Sequence, residues 1–222
     1  PGPARIAAQG GREWARSEVR LPTYDTGALY DPRGIAAAPG GQLYVADAGH
    51  DRVAVVDAAG TVVRAFGQHG DGPGRFNMPS DVAIDVGRDR AYVADLSNRR
   101  LSVLTLNGTP VDQWLTAGPD IAFVPYGVAV APATGDIYVV SEVTHHVDRF
   151  GADGTWYGGW GGEGSGPGQL LGPQGIAVHP DGRVLVADFR NARIQSFSAT
   201  GGFLAERPLS GVRDVAVAAD GS

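Results

Sequence analysis

A chain of 222 residues, 43% of them hydrophobic, is long enough to bury a substantial core. Without cysteine it has no disulfide framework, no thiolate nucleophile and no cysteine-based metal site. A formal charge of −6 argues against bulk attraction to nucleic acid or anionic lipid, and no apolar run approaches the roughly 18 to 20 residues of a membrane-spanning helix.

From the N-terminus, PGPARIAAQGG lacks the apolar segment of a signal peptide, and residues 4–14, ARIAAQGGREW, read as the third and fourth strands of a unit whose start is missing. The first full unit opens with PRGIAAAP from Pro32, continues with LYVADAGHDRVAVV at 43–56 and turns at Ala59-Gly60. The second runs from PSDVAIDV at Pro79 through AYVADLSNRRLSVL at 91–104 to Asn107-Gly108. The third runs from PYGVAVAP at Pro125 through IYVVSEVTHHVDRF at 137–150 to Asp153-Gly154. The fourth opens with PQGIAVHP at Pro173, turns at Asp181-Gly182 and carries VLVADFRNARIQSF at 184–197. A fifth opening, VRDVAVAADGS from Val212, runs to the last residue.

The Asp of the central phrase falls at 47, 95 and 188, with Ser141 in its place in the third copy, so the steps are 48, 46 and 47. The apolar runs are short and rich in Val, Ile and Tyr, helix signals are absent, and the turn pairs supply the positive φ angles of two-residue hairpins. Four strands per unit at this period predict a β-propeller, whose blades stack because none can bury its own apolar faces alone. The expected fold is all-β, with four full four-stranded blades and partial blades at both ends. It forms a single domain over 1–222, cut at both ends, with repeat openings near 32, 79, 125, 173 and 212.

The proline-led openings, the Tyr-Val-Ala-Asp phrase, the following Asn and Arg, and glycine-rich returns such as FGQHGDGPGRFNMP and WGGEGSGPGQLLGP together resemble NHL repeats. The resemblance covers nearly the whole chain and implies a six-bladed parent, which would leave blade edges of this chain exposed. For function it implies little, since similar propellers serve as ligand sensors, partner-binding modules, RNA binders and lyases.

Strand alternation puts the loop entering each innermost strand and the loop between strands two and three on one face, here called the top. The residue after each opening position would ring the channel there: Arg33, Ser80, Tyr126, Gln174 and Arg213. The second top loop adds His50 and Asp51, then Arg99, then Glu142 and His145, then Phe189 and Arg190. Aspartates crowd the bottom loops, so the acidic total conceals a top rim with Arg33, Arg99, Arg190 and Arg213, suited to an anionic group. In three units the Asp is followed five residues later by Arg52, Arg100 or Arg193, a pair expected to fix the loop between them. Ser141 and His146 replace both partners in the third unit, which frees a loop holding Glu142, Thr144 and His145 beside Tyr126.

Other motifs carry less. GWGGEG at 159–164 matches a dinucleotide-binding pattern, but SGPGQLLGP follows it where a helix is required. Asn107-Gly108-Thr109 is a glycosylation sequon, yet the hairpin accounts for the Asn-Gly. The amidating lyases among NHL proteins hold zinc through histidines at the ring position; this chain has none there, and three imidazoles are needed. Only Asp81 and Asp214 stand near the ring as calcium donors, and no G-x-S-x-G elbow occurs. Four arginines with Tyr126 and Phe189 fall short of the strongly basic top that RNA binding requires.

The expected function is therefore a non-catalytic sensor or scaffold module, without cofactor or metal and without membrane insertion. It binds a protein or a small anionic ligand, not RNA, through Arg33, Ser80, Tyr126, Gln174, Arg213, Glu142 and His145. The alternative is a lactonase-like or amidating-lyase-like enzyme working through Glu142, His145 and Tyr126 on the same face. The compartment stays open, with an extracytoplasmic setting expected.

Overall fold

The computed structural model describes residues 28–115 and 123–218. Sixteen strands form four separate sheets, each a simple antiparallel meander of four. Blade one holds β1 (Pro32–Ala37), β2 (Leu43–Asp47), β3 (Arg52–Val56) and β4 (Val62–Phe66). Blade two holds β5 (Pro79–Asp85), β6 (Arg90–Asp95), β7 (Arg100–Leu104) and β8 (Pro110–Trp114). Blade three holds β9 (Gly127–Val130), β10 (Ile137–Ser141), β11 (His146–Phe150) and β12 (Trp156–Gly161). Blade four holds β13 (Ile176–Val178), β14 (Val184–Asp188), β15 (Arg193–Phe197) and β16 (Phe203–Pro208). The protein is thus an all-β propeller with four described blades, and the only helical elements among the described residues are three short 3₁₀ turns. The half-unit read over residues 4–14 lies outside the described residues, and the fifth opening, residues 212–218, carries no strand assignment although Val212 and Val217 are buried.

No blade has a core of its own. The three apolar clusters lie between blades: Tyr44, Val53 and Val55 of blade one meet Val82, Val93 and Leu104 of blade two. Tyr92, Leu101 and Trp114 meet Val128, Ile137 and Phe150 of blade three, and Tyr138 and Val147 meet Ile176, Val184 and Phe197 of blade four. Alternate residues of each strand face opposite neighbours, so every interior blade contributes to two clusters. Each large side chain fully buried there is worth about 1.5 to 3 kcal/mol, which makes stacking the main source of stability.

The hairpin turns depart from expectation in type. At Gly60, Gly108, Gly154 and Gly201 φ is 83°, 90°, 85° and 90°, while the residues before them keep negative φ. Gly60 donates to Asp57 and Asp57 to Thr61, and the β3–β4 register slips between Val55 and Val56. These are type I turns closed by a glycine bulge rather than two-residue primed turns. The extra residue increases local twist, which a propeller blade requires between its inner and outer strands.

Candidate functional site

The loop between strands two and three is built identically in three blades. Asp47, Asp95 and Asp188 are fully buried, and each accepts through Oδ2 from the Nε of Arg52, Arg100 or Arg193 at 2.7, 2.8 and 2.8 Å. The same oxygen faces His50 Nδ1 at 2.9 Å, Asn98 Nδ2 at 2.9 Å and Asn191 Nδ2 at 2.8 Å, so His50 fills the slot of the asparagines. The other oxygen accepts the amides of Tyr30, Asn77 and Leu171, which precede the opening prolines.

The expected Asp–Arg pairs are therefore present, but they hold more than their own loop. Arg100 donates to the carbonyls of Asp71, Gly72 and Arg75, and Arg193 to those of Ser165, Gly166 and Gln169. These carbonyls belong to the glycine-rich linkers arriving from the previous blade, so the pair is a clamp on that linker. The linker entering the third unit reads LTAGPDIAFV, two residues shorter than GQHGDGPGRFNM and GGEGSGPGQLLG and without their glycine phrase. Ser141 and His146 stand where there is no such phrase to grip. Their loop is retied, since Ser141 Oγ accepts from the Thr144 amide at 3.2 Å.

His145 also serves the frame. It sits at the left-handed position of its loop (φ 57°), equivalent to Asp51 (φ 52°) in blade one. Asp51 Oδ1 accepts the Met78 amide at 2.7 Å, and His145 Nδ1 accepts the Gly172 amide at 3.0 Å. Both brace the next linker just before its proline. With Nδ1 occupied as an acceptor, only Nε2 of His145 is left to donate.

The remaining ring residues come together at the channel mouth. Tyr126 is half-buried, and burial raises its phenol pKa above the ordinary value; Arg33 and Arg213 pull it down while Glu142 and Asp81 push it up, so all four charges lie within electrostatic reach of it. The Arg213 guanidinium lies 4.3 Å from the Phe189 ring centroid and reaches Gln174 Oε1 at 3.3 Å. Arg33 pairs with Asp31 at 3.1 Å, and Arg190 with Glu142 at 3.3 Å. Two of the four rim arginines are thereby neutralised, whereas Arg213 and Arg99 have no carboxylate partner among the described residues. Ser80 is buried and donates its hydroxyl to the Tyr126 carbonyl at 2.7 Å, which joins blades two and three and turns it away from the mouth.

Below the mouth, a cavity of about 120 Å³ is lined by residues of five repeat units, among them Ile35, Asp81, Val128, Ile176 and Asp214. Asp81 accepts the amides of Val82 and, across the blade boundary, Val128, each at 2.8 Å. Burial raises its pKa well above the usual carboxylate range, and the charge of Asp214 adds to the shift; Asp214, an exposed residue, is itself raised by desolvation of its carboxyl at the cavity. Glycine precedes each of these aspartates in the adjoining unit because a side chain at Gly34 would collide with Asp81, and one at Gly175 with Asp214. The sequence marked this pair only as weak calcium donors.

Four-stranded blades packed face to face around a polar channel define the molecule as a β-propeller with a loop-built mouth. The NHL repeat model matches residues 29–56, in blade one, and 170–197, in blade four. The chain is similar to the protein brain tumor of Drosophila melanogaster, 29% identical over 142 residues that make up 63% of this chain and 13% of that protein. In fold it resembles a streptogramin B lyase (TM-score 0.59, 19% identity, covering 80% of this chain and 54% of that one). It also resembles a catalytically inactive virginiamycin B lyase from Staphylococcus aureus with quinupristin (0.62, 17%, 85% and 58%). A third likeness is to Kuenenia stuttgartiensis hydrazine synthase (0.65, 16%, 96% and 57%). The chain spans 13% of the curated relative and little more than half of each of these structures.

Proposed function

We propose that this propeller is a non-catalytic binding module whose top mouth takes an anionic group, carried by a small ligand or by an acidic segment of a protein partner. The observation that carries this reading is Arg213: a guanidinium without a carboxylate partner among the described residues, held over Phe189 and tied to Gln174 at the entrance to the channel. Tyr126 adds a hydroxyl donor, and Arg33, shared with Asp31, a second guanidinium within reach of the same point. The lyase alternative has less support, because His145 and Glu142 are already engaged with Gly172 and Arg190. A six-bladed parent ring suits the channel, since Asp81 and Asp214 stand three units apart and that separation is half a turn of six.

The test is fluorescence anisotropy with a set of labelled acidic peptides and, separately, isothermal titration with citrate. Arg213→Glu combined with Arg33→Glu should weaken any binding at least tenfold while moving the melting temperature little, since both side chains are at the surface. Binding that survives the double substitution would place the site elsewhere.

A further inference from the structure

Every described blade ends in a strand that pairs on one side only, so the rim of the propeller carries four open sheet edges among the described residues. These edges stay on the outside whatever the number of blades in the ring. Three are blunted by charge or proline: β4 carries Arg64, β8 carries Pro110 and Asp112, and β16 carries Glu206, Arg207 and Pro208. The fourth, β12, reads WYGGWG and has neither.

The backbone of β12 offers unpaired groups. Gly162 donates its amide to the His145 carbonyl at 2.8 Å, and bonded and non-bonded pairs alternate along an antiparallel ladder. Trp160 and Gly158 therefore bond to Val147 and Arg149, while the N–H and C=O groups of Gly159 and Gly161 point away from β11. Both glycines are exposed, and neither has a side chain to shield those groups. Blade three itself demands them, since a Cβ at Gly159 would strike the His146 ring and one at Gly161 the His145 carbonyl. The loop that lost its Asp–Arg clamp thus leaves this edge bare. Trp160 does not fold over it, because its ring is wedged over the Gly201 turn of blade four.

The outward groups match those of a second copy of the same strand. With the two strands antiparallel about a two-fold axis at Trp160, Gly159 of each copy bonds to Gly161 of the other through both N–H and C=O, and every outward group of the two glycines is satisfied. Gly158 then stands opposite Gly162, and both have open space where a Cβ would be. Nothing along this stretch keeps the backbones from the roughly 4.8 Å spacing of a sheet. A foreign peptide finds little side-chain relief here to fix its register, since Gly158, Gly159 and Gly161 supply none. We propose that β12 is a self-association edge, through which two copies of this chain join their third blades, two four-stranded sheets becoming one of eight. Because the paired strands run antiparallel, the two channel mouths open in opposite directions, and the pairing is independent of what the mouths bind.

Sedimentation velocity of the full 222-residue chain over a wide concentration range should show a reversible monomer–dimer equilibrium. In the dimer Tyr157, which is 55% exposed, lies opposite Glu163 of the second copy. Tyr157→Glu should therefore weaken dimerisation at least tenfold, and adding Glu163→Lys should restore it. The matching changes on two other edges, Val63→Glu and Val111→Glu, should leave it unaltered. Amide exchange followed by NMR should slow at least tenfold at Gly159 and Gly161 as the dimer forms, and not at Ala65 of β4. A chain that stays monomeric overturns the proposal, as does a dimer indifferent to Tyr157→Glu or one that leaves the Gly159 and Gly161 amides unprotected. The exchange measurement needs no variant, so it decides the matter should Tyr157→Glu fail to fold.

Discussion

At Arg100 one guanidinium satisfies four acceptors: the Asp95 carboxylate and the carbonyls of Asp71, Gly72 and Arg75. Its side chain is 4% exposed and that of Asp95 0%, so solvent cannot replace a lost partner. Arg100→Ala should therefore cost about 3 to 5 kcal/mol in urea denaturation, the price of an uncompensated buried carboxylate. Arg100→Lys should recover little, because an ammonium cannot span the fork of linker carbonyls. The converse holds in the third blade: Ser141→Asp should destabilise, since His146 offers no guanidinium and the incoming linker no glycine phrase. The joint loss of Asp and Arg there follows from the linker they would have held. His145 illustrates the limit of residue type as evidence, because an imidazole in a loop can be a brace as readily as a base.

At the scale of the hairpin, two glycines with nearly equal backbones separate strain from packing. Gly182 has φ 91° and open space where a Cβ would stand, whereas Gly201 has φ 90° and the Trp160 ring there. Gly182→Ala should cost about 1 kcal/mol, the penalty of the left-handed region for an L side chain. Gly201→Ala should cost about 2 kcal/mol more, because the Trp160 ring must leave its seat in the cluster between blades three and four. Thermal melts of the two variants under one condition check this, and equal losses would remove the wedge from the account. The turn pairs were legible as turns, but not as bulged type I turns: Asn-Gly and Asp-Gly serve both, and only the strand register, set by packing of the blade faces, selects between them.

Across the whole molecule, Asp81 and Asp214 come from units more than a hundred residues apart and meet over one cavity. Desolvation raises both, and it also raises Asp95 despite Arg100. A carboxyl raised in the fold contributes its full stability below the unfolded value of about 4 and loses it as pH climbs through the folded value. Asp153 and Asp181, lowered first by turn amides, have the opposite sign and weaken the fold as pH falls. Asp214→Asn isolates the channel pair: it keeps an acceptor for the Val215 amide and removes the charge facing Asp81. Relative to the parent, the variant should gain stability between pH 4 and pH 7 in urea titrations, and a difference independent of pH would show that the two carboxylates do not interact.

The period, the blade boundaries and the Asp–Arg pairs could be read along the chain, because each unit repeats the same local solution to burying two apolar faces, but the pairs' grip on the glycine-rich linkers could not. The broken third copy, read along the chain as a freed loop, is explained by its upstream linker only once the clamp is seen. The mouth could be read only as a ring of positions. That Arg190 is matched by Glu142, that Ser80 faces inward, and that Arg213 rests on Phe189 with no carboxylate partner among the described residues depend on neighbouring units converging on one axis. A linear sequence orders residues within a blade, but the partners of a charge at the channel are chosen by the angle at which separate blades meet.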